Sequence, residues 1–414
     1  MRDMQFFTEK NNMRKDRTVS SLTLIPAGLA IVAVTYGFAR YAYGLFLPDI
    51  QSDLGLSTQV MGLIASSSCV GYLAATLLGS VISGVVGPRL PVVLGGLAAA
   101  GGMSIMAFSQ GPLELAIGVI LAGASPGLAY PPLSDAIMRL IVEPKQNRTY
   151  AVINSGTSFG VMISGPAALL AGTEWRFAWM GFAVIAVVAT AWIAVLMPTG
   201  RYKSNDYIEM PKVSWRWLVG TKSTRLFIAA TLFGVFTAVY WTFAVDLLVS
   251  AGGLPKAWSQ LFWIVIGASG LLGGVAGDLV RQFGLMRIFR GAVVIMALAM
   301  AVLAVKPGAL FTAMLSAMAF GGSFILIAGL FGIWSVNVFN ERPSAGFGAT
   351  FFLISVGQLV GPTLAGLIAG RHGLVPVFFL ASVLTLSISF LSPYRDIHSM
   401  VQTHTTDTEK TEAF

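Results

Sequence analysis

Arg40 stands inside a long apolar run, Leu22 to Leu47, in the stretch Tyr36-Gly37-Phe38-Ala39-Arg40-Tyr41-Ala42-Tyr43-Gly44. A guanidinium keeps its proton, so in an apolar medium it must find water, a carbonyl or an anion. Helical periodicity sets positions 36, 40, 43 and 47 on one face, so Tyr36 and Tyr43 project with Arg40. That trio has the chemistry of an anion clamp. The guanidinium forks onto a carboxylate or phosphate, and the tyrosines add donors and an aromatic wall. A structural role stands beside this one, with Arg40 tied to backbone carbonyls or to Asp49 or Asp53 just beyond the run.

Composition identifies the medium. Of 414 residues, 56% are hydrophobic and 11% charged, and the mean hydropathy is +0.78. Soluble domains carry about 25% charged residues, so this is an integral membrane protein. The net charge of +8 would suggest nucleic acid in a soluble protein. Here basic loops on the cytoplasmic face account for it. The one cysteine, Cys69, cannot form an internal disulfide, and no Cys/His cluster spells a metal site. His372, His398 and His404 lie near or beyond the ends of apolar segments. Residues 1–20 are polar and basic, and the run after them is too long for a signal-peptide core, so it reads as an uncleaved first span.

Twelve segments are apolar and long enough to cross a bilayer: 22–47, 57–83, 91–109, 112–138, 149–172, 176–197, 224–249, 258–281, 285–305, 308–338, 345–370 and 373–392. The charged stretch 198–223 divides them six and six. With the N-terminus inside, 21 Lys and Arg fall on the inner face and 4 on the outer, and Arg40 is the one left over. This bias sets both termini in the cytoplasm. The expected layout is a cytoplasmic tail at 1–20, a six-helix bundle at 21–197, a cytoplasmic linker at 198–223, a second six-helix bundle at 224–392 and a cytoplasmic tail at 393–414.

Three features recur about 195 residues apart. Gly165-Pro166 answers Gly361-Pro362. Arg148-Thr-Tyr-Ala151 answers Arg342-Pro-Ser-Ala345. Gly79-x-x-x-Ser83 answers Gly274-x-x-x-Asp278. Repeats on this scale imply two bundles around a central site. Together they resemble the major facilitator superfamily over almost the whole chain. The family's loop after its second span reads Gly-x-x-x-Asp-Arg-x-Gly-Arg-Arg/Lys. The second copy here keeps Gly274, Asp278, Arg281, Gly284 and Arg287 with slipped spacing, and the first is degenerate, with Ser83 at the Asp position. The family's antiporter glycine pattern is matched in span 11 by Gly348, Gly357, Gly361, Pro362 and Gly366. Val119 occupies the position of the family's span-4 arginine. The run at 37–44 is similar to the first span of the YbfB/YjiJ-like bacterial subgroup.

The resemblance implies that spans 1, 4, 7 and 10 line a central cavity. In span 7 it makes Tyr240 or Trp241 a substrate wall, against the bland alternative of packing or lipid contact. In span 4, Pro126, Pro131 and Pro132 predict a bend, with Tyr130 a substrate contact or the bend mere packing. Gln358 is a midplane amide in span 11, bonded across helices or to substrate. Asn154 and Ser158 read as helix–helix glue. Asp278 and Arg281 are expected in a cytoplasmic gate, with Gly361 and Pro362 letting span 11 bend and slide. Asp246 is the coupling candidate, and its alternative is an exposed acid at a helix end.

The resulting expectation is an all-α membrane protein in the major facilitator fold. It would be a secondary active transporter moving a small, anionic organic solute by alternating access, coupled to H+. A multidrug or metabolite efflux antiporter and a transporter-fold sensor without transport are the alternatives. No nucleophile–base set or phosphate loop marks an enzyme. No cofactor or nucleic acid is expected. A monomer in the bacterial inner membrane is.

Overall fold

A computed structural model describes residues 21–172, 174–197, 220–340 and 343–393. Both tails and most of the 198–223 linker, and Arg342 of the repeat motif, lie outside the described residues. So do 12 of the 21 inner Lys and Arg that set the orientation.

Among the described residues the chain is all helix. The elements are α1 (Thr23–Leu54), α2 (Thr58–Val86), α3 (Arg89–Phe108), α4 (Pro112–Leu140), α5 (Glu143–Asn154 and Gly156–Ala171), α6 (Trp175–Leu196), α7 (Thr221–Asp246, extended by Leu247–Ala251), α8 (Lys256–Gly270, Leu271–Val275 and Ala276–Phe283), α9 (Leu285–Val305), α10 (Leu310–Val338), α11 (Pro343–His372) and α12 (Leu374–Ser387, extended by Ile388–Leu391). Eleven are long and apolar enough to cross a bilayer. The other is α5, interrupted at Ser155. Large apolar side chains stand in the open, among them Leu170 at 91% exposure and Val195 at 82%. In water that surface would aggregate, and in lipid it is at home.

Local sequence sets the breaks. Gly55 ends α1 in the left-handed conformation, with φ of 62°, and the Ser57 hydroxyl caps α2 by accepting from the Val60 amide. α4 absorbs Pro126, Pro131 and Pro132 without ending. A 3-10 turn at Leu271–Val275 breaks α8.

α1 carries the break that matters most. Its central turn, Ala33–Tyr41, is π-helical. The Ala42 amide donates to the Gly37 carbonyl, five residues back, at 3.1 Å. Such turns insert one extra residue and recur at functional sites. Gly37 lies flat against the backbone of Gly160 in α5, and no side chain would fit between them.

The first six helices pack mainly on one another and the last six likewise. The main pairs that cross between them are α1 with α7, α2 with α11 and α5 with α8. They meet at the end of the molecule that bears Asp49 and Lys256. There Gly44 presses on the Trp241 carbonyl, and the Ser66 hydroxyl accepts from the Thr363 amide at 3.1 Å. Lys256 lies 2.8 Å from Asp49 and donates to the Gly172 carbonyl. At the opposite end, Glu143–Asn154 packs chiefly on α1, α4 and the rest of α5, and Ala276–Phe283 on α9, α10 and the 3-10 turn.

Candidate functional site

A cavity of about 50 Å³ lies between the two sets of helices, walled on one side by Arg40, Tyr41, Ser68, Cys69 and Val119 and on the other by Trp241, Thr242 and Gln358. The π turn of α1 aims Arg40 into it. Arg40 Nη2 donates to Gln358 Oε1 at 2.6 Å and lies 3.8 Å from Cys69 Sγ. Its guanidinium carbon sits 4.0 Å from the centre of the Tyr72 ring, a cation–π distance. Among the described residues no carboxylate pairs with it. Asp49 and Asp53, the acids within reach in sequence, pair with Lys256 and Arg176 instead. Both acids lie further along α1 than Arg40, toward the sealed end.

Gln358 is held by its helix. Gly357 and Gly361 bring the backbone of α11 directly onto the carbonyls of Thr231 and Val235 in α7. The side chain between them is 7% exposed and has nowhere to point but the cavity. Pro362 lines the wall one turn further on.

The tyrosines separate. Tyr36 bonds to Tyr72 hydroxyl to hydroxyl at 3.3 Å and meets the edge of Tyr130, 5.6 Å between ring centres. The Tyr130 hydroxyl donates to Asn154 at 2.9 Å. These rings form a patch on the side of Arg40 away from the sealed end. Tyr43 borders the cavity, but its hydroxyl is turned to the Met61 carbonyl at 3.2 Å. The face of positions 36, 40 and 43 expected from a 3.6-residue repeat is therefore split by the π turn, and Tyr41 takes a place beside Arg40.

In α7 the neighbours exchange roles. Tyr240 is fully buried, stacks on Phe320 at 3.6 Å and bonds to Ser316 at 2.7 Å. It does not line this cavity: one residue of helical phase turns it into the packed interior and sets Trp241 on the wall. The Trp241 Nε1 and, on the facing wall, Ser68 Oγ are buried with no protein partner. A buried polar group left unpaired is costly, so two unpaired groups on facing walls fit a site that takes a polar guest.

Two further expectations meet a different geometry. Asp246 is not an exposed helix-end acid. It is 2% exposed, with a hydrogen bond from Ser250 at 2.5 Å, and it does not approach Arg40. Asp278 and Arg281 pair with each other on a single helix, their side chains 72% and 81% exposed, and do not join the two sets of helices. Ser158 packs against Gly270 of α8, a helix-to-helix contact.

Sequence reading missed Tyr72, Ser68 and Cys69 as neighbours of Arg40. Spacings of 68, 69 and 72 on one helix were the sole signal. Lys256 was counted for orientation and not as a partner of Asp49.

The arrangement is a fixed cation in a closed-ended cavity between two helical sets. Among the described residues its walls bear no nucleophile and base set for bond chemistry, and they can hold an anion. Residues 32–391 match the family model described as "Uncharacterised MFS-type transporter YbfB". The chain is 27% identical over 381 residues to the transcription regulatory protein OpdE of Pseudomonas aeruginosa, covering 88% of this chain and 91% of that one. It is 26% identical over 405 residues to the hexuronate transporter of Bacillus subtilis, again covering 88% and 91%. Among solved structures, a mutant form of the nucleoside transporter NupG superposes with a TM-score of 0.73 at 14% identity, covering 89% of this chain and 98% of that one. The D-xylose-proton symporter superposes with a TM-score of 0.67, also at 14% identity, over 89% and 96%. The chain belongs to the major facilitator superfamily, in its YbfB-like family, and is a multi-pass membrane transporter of a solute rather than an enzyme.

Proposed function

We propose that this transporter moves a small organic anion across the bacterial inner membrane by alternating access, as a secondary carrier coupled to H+. The observation that carries the reading is Arg40. It stands on a cavity between the two helical sets, its charge met by an amide, a thiol and an aromatic face rather than by a carboxylate. A permanent cation left without a counter-charge at membrane depth is satisfied best by an anion that comes and goes. Val119 stands on the same wall where the superfamily's arginine would be, which leaves the anion's recognition to Arg40. A relative named for hexuronate, itself a carboxylate, agrees with this chemistry.

The two moving bodies are residues 21–197 and 224–392, with the linker 198–223 and both tails in the cytoplasm. The conformation is inward-open. The Asp49–Lys256 end is the periplasmic face, sealed across α1–α7, α2–α11 and α5–α8. On the cytoplasmic face the Asp278–Arg281 pair is folded onto its own helix, as a released gate would be. Gly361 and Pro362 let α11 rock against α7. Asp246, buried at the periplasmic end, is the proton-coupling group, a part for which the D-xylose-proton symporter's name offers precedent in the same fold. The carrier acts as a monomer.

A thermal-shift screen of carboxylates and cationic dyes, on purified wild type and Arg40→Ala, tests the reading. Carboxylates that stabilise the wild type and lose that effect in the variant support it, and uptake into proteoliposomes then identifies the solute. Stabilisation by dyes, equal in both proteins, would favour an efflux antiporter. A sensing role is the second reading, favoured by the name of the OpdE relative. Carboxylate binding with no flux into proteoliposomes would support it.

A further inference from the structure

We propose that Gln358 is a built-in competitor for the anion: its amide occupies Arg40 in the empty carrier, and the solute's carboxylate displaces it and so unties α11 from α1. The proposal rests on reading Arg40 as the anion's anchor.

The Arg40–Gln358 bond spans the cavity between residues 318 apart in the chain, one in each set of helices. It is therefore a tether across the space the solute must enter. In this conformation the backbone under Gln358 is seated on α7 at Gly357 and Gly361. The side chain is the part that yields. An amide oxygen offers the guanidinium a partial charge at one point. A carboxylate offers a full charge and two oxygens in the geometry of the guanidinium fork. A neutral solute has nothing stronger than the amide, so it leaves the tether closed. The displaced amide still has its NH2 group to donate to the bound anion. Trp241 Nε1 and Ser68 Oγ, unpaired on the walls beside it, supply further contacts.

The residue type fits the task. A glutamate here would neutralise Arg40 permanently and shut out the solute. An aliphatic side chain would leave the guanidinium only the Tyr72 face and the Cys69 thiol in the empty carrier while the cavity changes sides. Glutamine compensates the cation weakly enough to be replaced. Selection for an anion is thus made at the step that frees α11.

Cys69 is the only cysteine of the chain, and its Sγ lies 3.8 Å from Arg40 Nη2. It reports the charge of the site without knowledge of the solute. The test compares its rates of modification, in purified protein in detergent, by an anionic reagent (2-sulfonatoethyl methanethiosulfonate) and a cationic one (2-trimethylammonioethyl methanethiosulfonate). Each rate is divided by that reagent's rate with a free thiol. Wild type is expected to favour the anion by roughly tenfold over Arg40→Gln. Gln358→Ala raises that preference, and Gln358→Glu lowers it to the level of Arg40→Gln. Should either variant fail to yield folded protein, the other decides alone. A preference in wild type equal to that of Arg40→Gln overturns the anion anchor itself. A preference that is present but unchanged in both Gln358 variants overturns the competitor alone. Failure of Cys69 to react with either reagent overturns both, since the cavity would then not admit an anion of this size.

Discussion

The Lys256 ammonium lies 2.8 Å from the Asp49 carboxylate, joining the start of α8 to the end of α1. The same ammonium donates to the carbonyl of Gly172 at the end of α5. One side chain of the second helical set thus holds two helices of the first. The pair is partly open to solvent, with side-chain exposures of 33% and 20%, so it contributes about 1 kcal/mol. Lys256→Ala should shift the balance toward an open seal by roughly fivefold. Distances between spin labels placed across that end check this. The exchanged pair Asp49→Lys with Lys256→Asp should recover much of the loss.

Gly44→Val should abolish transport while leaving the protein in the membrane. Any Cβ at position 44 meets the Trp241 carbonyl, a backbone atom that cannot step aside cheaply. The variant then cannot bring α1 and α7 together, and the sealed state is lost. Solute flux in proteoliposomes should fall by more than about tenfold, a loss of over about 1.4 kcal/mol in transport competence. Labels at the Asp49–Lys256 end should report a widened gap.

Arg40→Lys should restore little of what Arg40→Ala removes. An ammonium cannot fork onto a carboxylate while stacking on Tyr72, and it is more strongly hydrated than a guanidinium. Uptake by the Lys variant is expected at least about tenfold below wild type, with membrane insertion unchanged on a blot of the membrane fraction. Full activity of Arg40→Ala would remove the anion-clamp reading.

Tyr240→Phe should leave uptake unaltered and cost about 1 kcal/mol of stability. Its hydroxyl bonds Ser316 at 2.7 Å in the packed interior, and Ser316 keeps its bond to the Ala299 carbonyl when the tyrosine oxygen is gone. Trp241→Phe is the contrasting change. It removes an unpaired buried donor beside the cavity and should weaken solute binding, with a cost in stability from lost packing on Tyr41 and Trp263.

Asp246→Asn tests coupling. The carboxyl is buried with a serine partner four residues on, so the amide should be tolerated structurally. Solute exchange between the two sides is expected to persist. Solute-driven acidification inside liposomes, read with a pH-sensitive dye, should disappear. Unchanged acidification would move the coupling role to another group.

The spans were legible because each is a continuous apolar run, and lipid demands such runs. Arg40 was legible for the converse reason, a charge where none belongs. The π turn around it was not, because the choice between a four-residue and a five-residue repeat depends on Gly37 lying against Gly160, a contact between distant segments. The expected grouping of Tyr36, Tyr43 and Arg40 assumed an unbroken 3.6-residue repeat and missed Tyr41 for that reason. Tyr240 and Trp241 differ by one position, and an aromatic stripe in a helix apolar on all sides gives no phase. Gln358 was visible as an amide at depth, but its partner comes from the opposite end of the chain. Lys256 and Asp49 sit at span ends, where charges are ordinary and say nothing about pairing.

The extra residue of the π turn also fixes the rest of α1 beyond it. Straightening Ala33–Tyr41 into a regular helix without removing a residue would rotate the later turns by about 100°. Gly44 would leave the Trp241 carbonyl and Asp49 would leave Lys256. The turn that aims the cation therefore sets the angular register of the seal. Changes that straighten this stretch at constant length should strike recognition and closure together, whereas point substitutions at Arg40 or Asp49 can separate them.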